Sequence, residues 1–170
     1  MLGLAPAQPT SFIIVGAQVA DGTGAPLVAA SVRVRGDVIA EVGRLTPRPG
    51  ELVVDGAGMV LAPGFVDVHN HSTSGLEVEP AAVTQVSQGI TTVAVGPDGS
   101  SPWPVGAYLQ RLRAKPPTVN VVTFAGHATI RREVIGYDYK RQATPAEVAR
   151  MAALVTQAMD EGAFGLSSGL

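Results

Sequence analysis

The chain has 170 residues, 46% hydrophobic and 15% charged, with a formal net charge of −2, which is ample material for a packed core. The near balance of charge excludes the basic face that a nucleic-acid partner requires, and no apolar run reaches the roughly 18–20 residues of a membrane-spanning helix. Cysteine is absent, so disulfides play no part.

Met1 to Thr10 read as a flexible tail or as the end of a secretory leader. Ala5-Pro6-Ala7 would be its small-x-small cleavage site, although the basic and most of the apolar parts of a leader are missing. The expectation is a cytoplasmic protein, or a periplasmic or secreted one if those residues are a leader remnant. Residues 11–62 then read as short strands broken by turns. Phe12 to Val19 is β-branched and apolar, Asp21-Gly22-Thr23-Gly24 is turn chemistry, and Ala30 to Arg35 alternates as a half-exposed strand. Gly36-Asp37 turns it back into Val38 to Val42. Glu51 to Val54 and Met59 to Leu61 flank a further turn at Asp55-Gly56-Ala57-Gly58. The expected unit is a small antiparallel β-sandwich.

From residue 63 to 170 the pattern changes to strand and helix in alternation. Phe65 to Val68 is an apolar strand of the kind buried on both faces, and Pro80 to Gln88 is a helix stopped by Gly89. Ile90 to Val95 is a second strand, Val105 to Ala114 a helix, and Val119 to Phe124 a third strand. Thr144-Pro145-Ala146-Glu147 is a capping box with proline at the first helical position. The helix it opens carries Val148, Met151, Val155, Ala158 and Met159 at helical spacing. Glu161-Gly162 closes it, and a fourth strand starts near Ala163. Such repetition predicts a parallel sheet, an α/β fold whose strand ends carry the chemistry.

The candidate ligands stand at those ends. Two of the chain's three histidines lie one residue apart in Asp67-Val68-His69-Asn70-His71. On a strand, that spacing turns both imidazoles to one face, half of a divalent metal site, with the Asp67 carboxylate on the same face as a candidate contact to the ligands or to substrate. Asp98 follows the second strand, either as a ligand or as a turn aspartate bonding its own backbone. His127 follows the third, either as a contact to the site or substrate or as a core histidine. Ser167 and Ser168 follow the fourth, with no nucleophile elbow or base beside them. Ligands after successive strands point to a (β/α) barrel with its site at the C-terminal face.

Asp55-x-x-Gly58, Pro63-Gly64-Phe65-Val66-Asp67 and His69-x-His71 resemble the amidohydrolase superfamily. Gln88 to Val93, Gly96 to Ser101, Gly126 to Arg131 and Glu161 to Leu170 are similar to its N-acyl-D-amino-acid deacylase (D-aminoacylase) group, over about residues 11–170. The resemblance implies hydrolysis of an N-acyl-D-amino acid, a small-molecule substrate, by water activated on zinc. One or two ions would serve, with manganese or cobalt as alternatives. It implies that His69 and His71 are ligands or line a second metal position. Many members carry a cysteine where this chain has Asp98, whose oxygen is a harder donor and less selective for zinc. Some superfamily members bridge two metals through a carboxylated lysine on the fourth strand, and this strand has none. The alternatives are another amidohydrolase, dipeptidase-like or acting on cyclic amides, and a metal-binding relic without activity.

A (β/α)₈ barrel needs about 200 residues or more. The expectation is therefore the first half, about four strands, of a metal-dependent TIM-like barrel behind the small β unit. The resemblance places the remaining ligands and the general base beyond Leu170, which predicts a catalytically inactive and poorly soluble chain in isolation. Oligomeric state is not legible.

Overall fold

The computed structural model of the chain describes residues 11–138 and 140–169; the expectation for residues 1–10 lies outside them. Two compact units divide it, Met1–Pro63 and Gly64–Leu170.

In the first unit the strands are β1 (Ser11–Val19), β2 (Val28–Arg35), β3 (Val38–Gly43), β4 (Leu52–Asp55) and β5 (Val60–Leu61). They form one sheet in the order β3-β2-β1-β4, with β5 also beside β1. The hairpin between β2 and β3 is antiparallel, as is the β1–β2 pair. Gly36, at φ +60°, supplies the positive φ that a two-residue reversal favours. The expectation of an antiparallel sandwich is corrected here, because β4 and β5 both run parallel to β1. Phe12 to Val15 pair with Leu52 to Asp55, and Gln18 and Val19 pair with Val60 and Leu61. Asp55 to Met59 therefore makes a local excursion and does not reverse the chain. Gly56 donates its amide to Val15 O at 2.8 Å, and Met59 O accepts from Gln18 N at 3.0 Å, so the strand resumes its direction along β1.

Alternation along β2 also fails, since Ser31, Val32 and Arg33 are buried in succession. Burial of a guanidinium is tolerated only when it is paired. Arg33 donates from Nε to Glu51 Oε1 at 2.6 Å, from Nη1 to Glu41 Oε2 at 2.8 Å and from Nη2 to Thr46 O at 2.8 Å. Glu51 also accepts from Arg48 N and Ser11 Oγ. Chiefly through the Arg33 hydrogen bond, its carboxyl is held down at about 2.

The second unit runs β6 (Phe65–Asn70), α1 (Thr73–Val78), α2 (Val83–Val86), β7 (Ile90–Val95), α3 (Val105–Ala114), β8 (Asn120–Gly126), α4 (His127–Ile135), α5 (Pro145–Asp160) and β9 (Gly165–Ser167). The four strands are parallel and adjacent in chain order, β6-β7-β8-β9, the order of a curling half-barrel. Gly64 precedes β6 where a Cβ would stand 2.2 Å from the Thr91 side chain, so the strand entry has no room for a side chain at residue 64.

The helix expected over Pro80 to Gln88 is reduced to α2. Ala82 has φ +46° and Pro80 O accepts from Thr118 N at 2.7 Å, which holds the approach out of helical geometry. α1 and α4 have no counterpart in the sequence reading. The capping box at Thr144 and Glu147 is formed at the start of α5. One core cluster joins Leu76, Val93, Val95, Tyr108, Leu112 and Val119, and a second joins Val105, Ala125, Ile130 and Ala158 with Met151, Val155 and Met159. Val93, Ala94 and Val95 are buried on both faces of β7. Phe65, Val66 and Val68 are exposed, contrary to the burial expected of them, because the helices of the second unit pack mainly on β7 and β8.

Candidate metal centre

β6 delivers His69, and His71 stands just past its end. Their rings meet edge to face with centroids 5.1 Å apart, and the Nε2 atoms are 3.2 Å from each other. The residue between them faces the other way. Asn70 is buried, donates from Nδ2 to Asp67 Oδ2 at 2.8 Å and accepts from Ser72 N at 2.8 Å on Oδ1. Asp67 Oδ1 accepts from His69 N at 3.1 Å. Asn70 first, and then the His69 amide, hold the Asp67 carboxyl below its ordinary range. Asp67 thus braces the backbone of the histidine pair as an anion. Asn70 was missed in the sequence, where a polar residue alternating against two histidines was the available signal.

Asp98 comes from the loop after β7. Pro97 and Gly99 on either side are buried while Asp98 is exposed, so the loop is packed and only this side chain projects. Asp98 has φ +55°, with Gly96 at +78° and Gly99 at +79°; among residues with a side chain, Asp is one of the few that adopts that region readily. Neighbours from β8, α4 and the end of β9 hold the loop. Ser167 Oγ at the end of β9 donates to Gly96 O at 2.6 Å and accepts from Gly99 N at 3.2 Å. Ser101 Oγ accepts from Gly126 N at 2.9 Å, and Ser101 N donates to Thr129 Oγ1 at 3.0 Å. Gly126 and Gly169 pack so closely that a Cβ on either would stand 2.3 Å from a carbonyl oxygen of the loop, that of Gly99 or that of Asp98. Ser167 is therefore a clamp, and neither it nor these glycines was assigned this part from the sequence.

His69, His71 and Asp98 converge. Asp98 Oδ2 lies 3.0 Å from His69 Nε2 and 3.4 Å from His71 Nε2. Bonds of about 2.1 Å to a divalent ion separate two ligand atoms by about 3.0 Å at a right angle and about 3.4 Å at the tetrahedral angle. The three edges found here span that interval, and among the described residues this is the one group of three or more such donors. Two imidazoles and a carboxylate on one side suit zinc and also harder first-row ions. All three side chains are more than half exposed, which leaves the opposite side open to further donors or substrate. His127, the first residue of α4, is exposed and outside this group. Among the described residues it does not sit in the core.

No family model matches the chain. It is 39% identical over 188 residues to an N-acyl-D-aspartate deacylase of Alcaligenes xylosoxydans xylosoxydans, covering 97% of this chain and 37% of that protein. The solved structure of an N-acyl-D-glutamate deacylase from Bordetella bronchiseptica, in complex with zinc and a phosphonate mimic of the reaction's tetrahedral intermediate, superposes with a TM-score of 0.87 at 34% identity. That match covers 96% of this chain and 39% of the other. A D-aminoacylase with a binuclear metal centre gives 0.84 at 37% identity, over 93% of this chain and 38% of the other. The chain thus spans less than two fifths of the length of these relatives. Among the described residues no helix is long and apolar enough to cross a membrane.

Proposed function

Because the chain belongs to the D-aminoacylase group of the amidohydrolase superfamily, we propose that the protein carrying it hydrolyses the amide bond of N-acyl-D-amino acids. The observation that carries this reading is the triangle of His69 Nε2, His71 Nε2 and Asp98 Oδ2 at the C-terminal ends of adjacent parallel strands. These three residues would hold the metal, zinc first and manganese or cobalt as alternatives given the oxygen of Asp98. A metal held there would supply Lewis acidity toward the amide carbonyl and lower the pKa of water toward neutrality.

The chain's own residues do the positioning. Asp67 and Asn70 keep the two histidines in register, and Ser101, Ser167, Gly126 and Gly169 keep the Asp98 loop against the sheet. Among the described residues no further His, Cys, Asp or Glu joins the donor group. β9 presents Gly165, Leu166 and Ser167. With no lysine there, the carboxylated-lysine bridge associated with some other amidohydrolases has no anchor on this strand.

The test uses the longer protein that carries this chain, assayed on N-acetyl-D-methionine and its L isomer. Hydrolysis of the D isomer is expected, with activity and bound zinc both falling at least about tenfold in Asp98→Asn. Asp98→Cys should bind zinc in preference to manganese more strongly than the parent does. Equal hydrolysis of both isomers, or zinc content untouched by Asp98→Asn and His71→Ala, would overturn the reading.

A further inference from the structure

His71 stands in the short link between the end of β6 and the start of α1, so its aim depends on where α1 sits. α1 has six residues and no side-chain cap at Ser72, and a helix that short is marginal without tertiary support. The support comes from α3. Leu76 of α1 is buried in the core cluster that holds Tyr108 and Leu112, and side chains of α3 and its C-terminal end grip α1 along its length. Tyr108 Oη donates to Thr73 O at 3.3 Å, just past His71. Arg111 donates to the Glu77 carboxylate from both Nε and Nη2, at 2.9 and 3.1 Å. Lys115 Nζ donates to Glu77 O at 3.3 Å and to Val78 O at 3.4 Å, where a cation suits the carbonyls of a helix end.

Spacings of three and four place Tyr108, Arg111 and Lys115 on one side of α3. Arg111 also lies over the Tyr108 ring, 5.8 Å from its centroid. Burial above all pushes the Tyr108 hydroxyl up to about 12, so it stays a donor at any ordinary pH. On the other side of the link, Gln85 Nε2 donates to Ser72 Oγ at 3.0 Å, and Ser72 N donates to the buried Asn70 at 2.8 Å. An exposed ion pair contributes little to stability, but a bidentate one fixes geometry. We propose that α3 is a clamp on α1 that aims the His71 imidazole at His69 and Asp98, with Arg111 and Tyr108 as positioning residues. Its effect on zinc rests on the metal-dependent hydrolase reading above.

The experiment uses the longer protein, with zinc affinity read by chelator competition and ligand geometry by the visible absorption of the cobalt-substituted form. Arg111→Glu should weaken zinc binding at least about fivefold, short of the roughly 10–100-fold typical when a ligand's direct partner is lost, and change the cobalt spectrum. Added negative charge by itself favours a bound cation, so such a fall cannot arise from charge. Combining Arg111→Glu with Glu77→Arg re-forms the pair and should recover both readings. Tyr108→Phe, which removes only the hydroxyl, should also change the cobalt spectrum. Thr144→Ala, which uncaps α5, should leave both readings at parental values. Parental affinity and spectrum in Arg111→Glu and Tyr108→Phe, a loss that the charge swap does not recover, or an equal loss in Thr144→Ala would each overturn the proposal while leaving the metal site in place. If the parent binds neither zinc nor cobalt, the metal reading fails, and NMR of the protein with isotope-labelled histidine decides on the clamp. His71 ring signals that shift in Arg111→Glu and return in the charge swap, with His127 unmoved, would support it. Unmoved His71 signals would refute it.

Discussion

Gly126→Ala tests whether the donor triangle is held from behind. A Cβ at residue 126 would stand 2.3 Å from Gly99 O, 2.7 Å from Gly99 C and 2.8 Å from Ser101 N. All three are main-chain atoms, so no side chain can rotate aside. To regain ordinary contact the loop must retreat by about 1 Å. That displacement strains the Gly126 N to Ser101 Oγ and Ser101 N to Thr129 Oγ1 bonds. Overpacking of this kind costs about 1–3 kcal/mol. The same shift carries Asp98 Oδ2 out of a triangle whose edges are only 3.0–3.4 Å. Losing the support of a ligand typically weakens metal affinity by about 10–100-fold. Competition with a chromophoric chelator measures that affinity, and thermal unfolding measures the stability. A variant with parental zinc affinity and melting temperature would refute the argument that Gly126 positions Asp98.

Two further outcomes follow from the hydrogen bonds. Glu51 is held at about 2 against an ordinary 4.5, so the folded state favours its ionised form. That contribution is complete above pH 4.5 and disappears as pH falls from 4.5 through about 2. Glu51→Gln should therefore flatten the loss of stability over this interval in urea titrations, and an unchanged slope would discard the assignment. Thr144→Ala removes the side chain that caps α5 through Glu147 N at 3.3 Å and frees the Glu147 return bond to Thr144 N at 2.9 Å only in part. It should cost about 1 kcal/mol by chemical denaturation, and a neutral result would count against the cap.

Periodicity made part of this architecture legible. Strand alternation placed His69 and His71 on one face, and position after the second parallel strand put Asp98 beside them; whether they ligate is a question for metal titration. The capping box announced α5. What periodicity does not encode is direction and pairing. Nothing within Asp55 to Gly58 distinguishes a hairpin from an excursion along β1, because the partner that decides it is forty residues upstream in the chain order of contacts. Alternation along Ala30 to Arg35 does not reveal the burial of Arg33, which depends on Glu41 and Glu51 from elsewhere in the chain. α4 escaped notice because only Thr129 and Ile130 are buried along it, too short a stripe to carry a helical period. The αL turn at Ala82, which truncates the helix expected over Pro80 to Gln88, has no glycine to signal it.

The separation between donors and their supports has a consequence in time. His69, His71 and Asp98 all precede residue 99, within the first strand–helix–strand repeat of the second unit. The groups that immobilise Asp98 come later: Ser101 closely, then Gly126 and Thr129, and finally Ser167 and Gly169. During synthesis from the N-terminus, the chain acquires the three proposed donors well before it acquires the groups that fix their geometry. An ion taken up by the nascent segment would be held loosely at first and more tightly with each added strand, so that loading becomes a report on how far the barrel has been built.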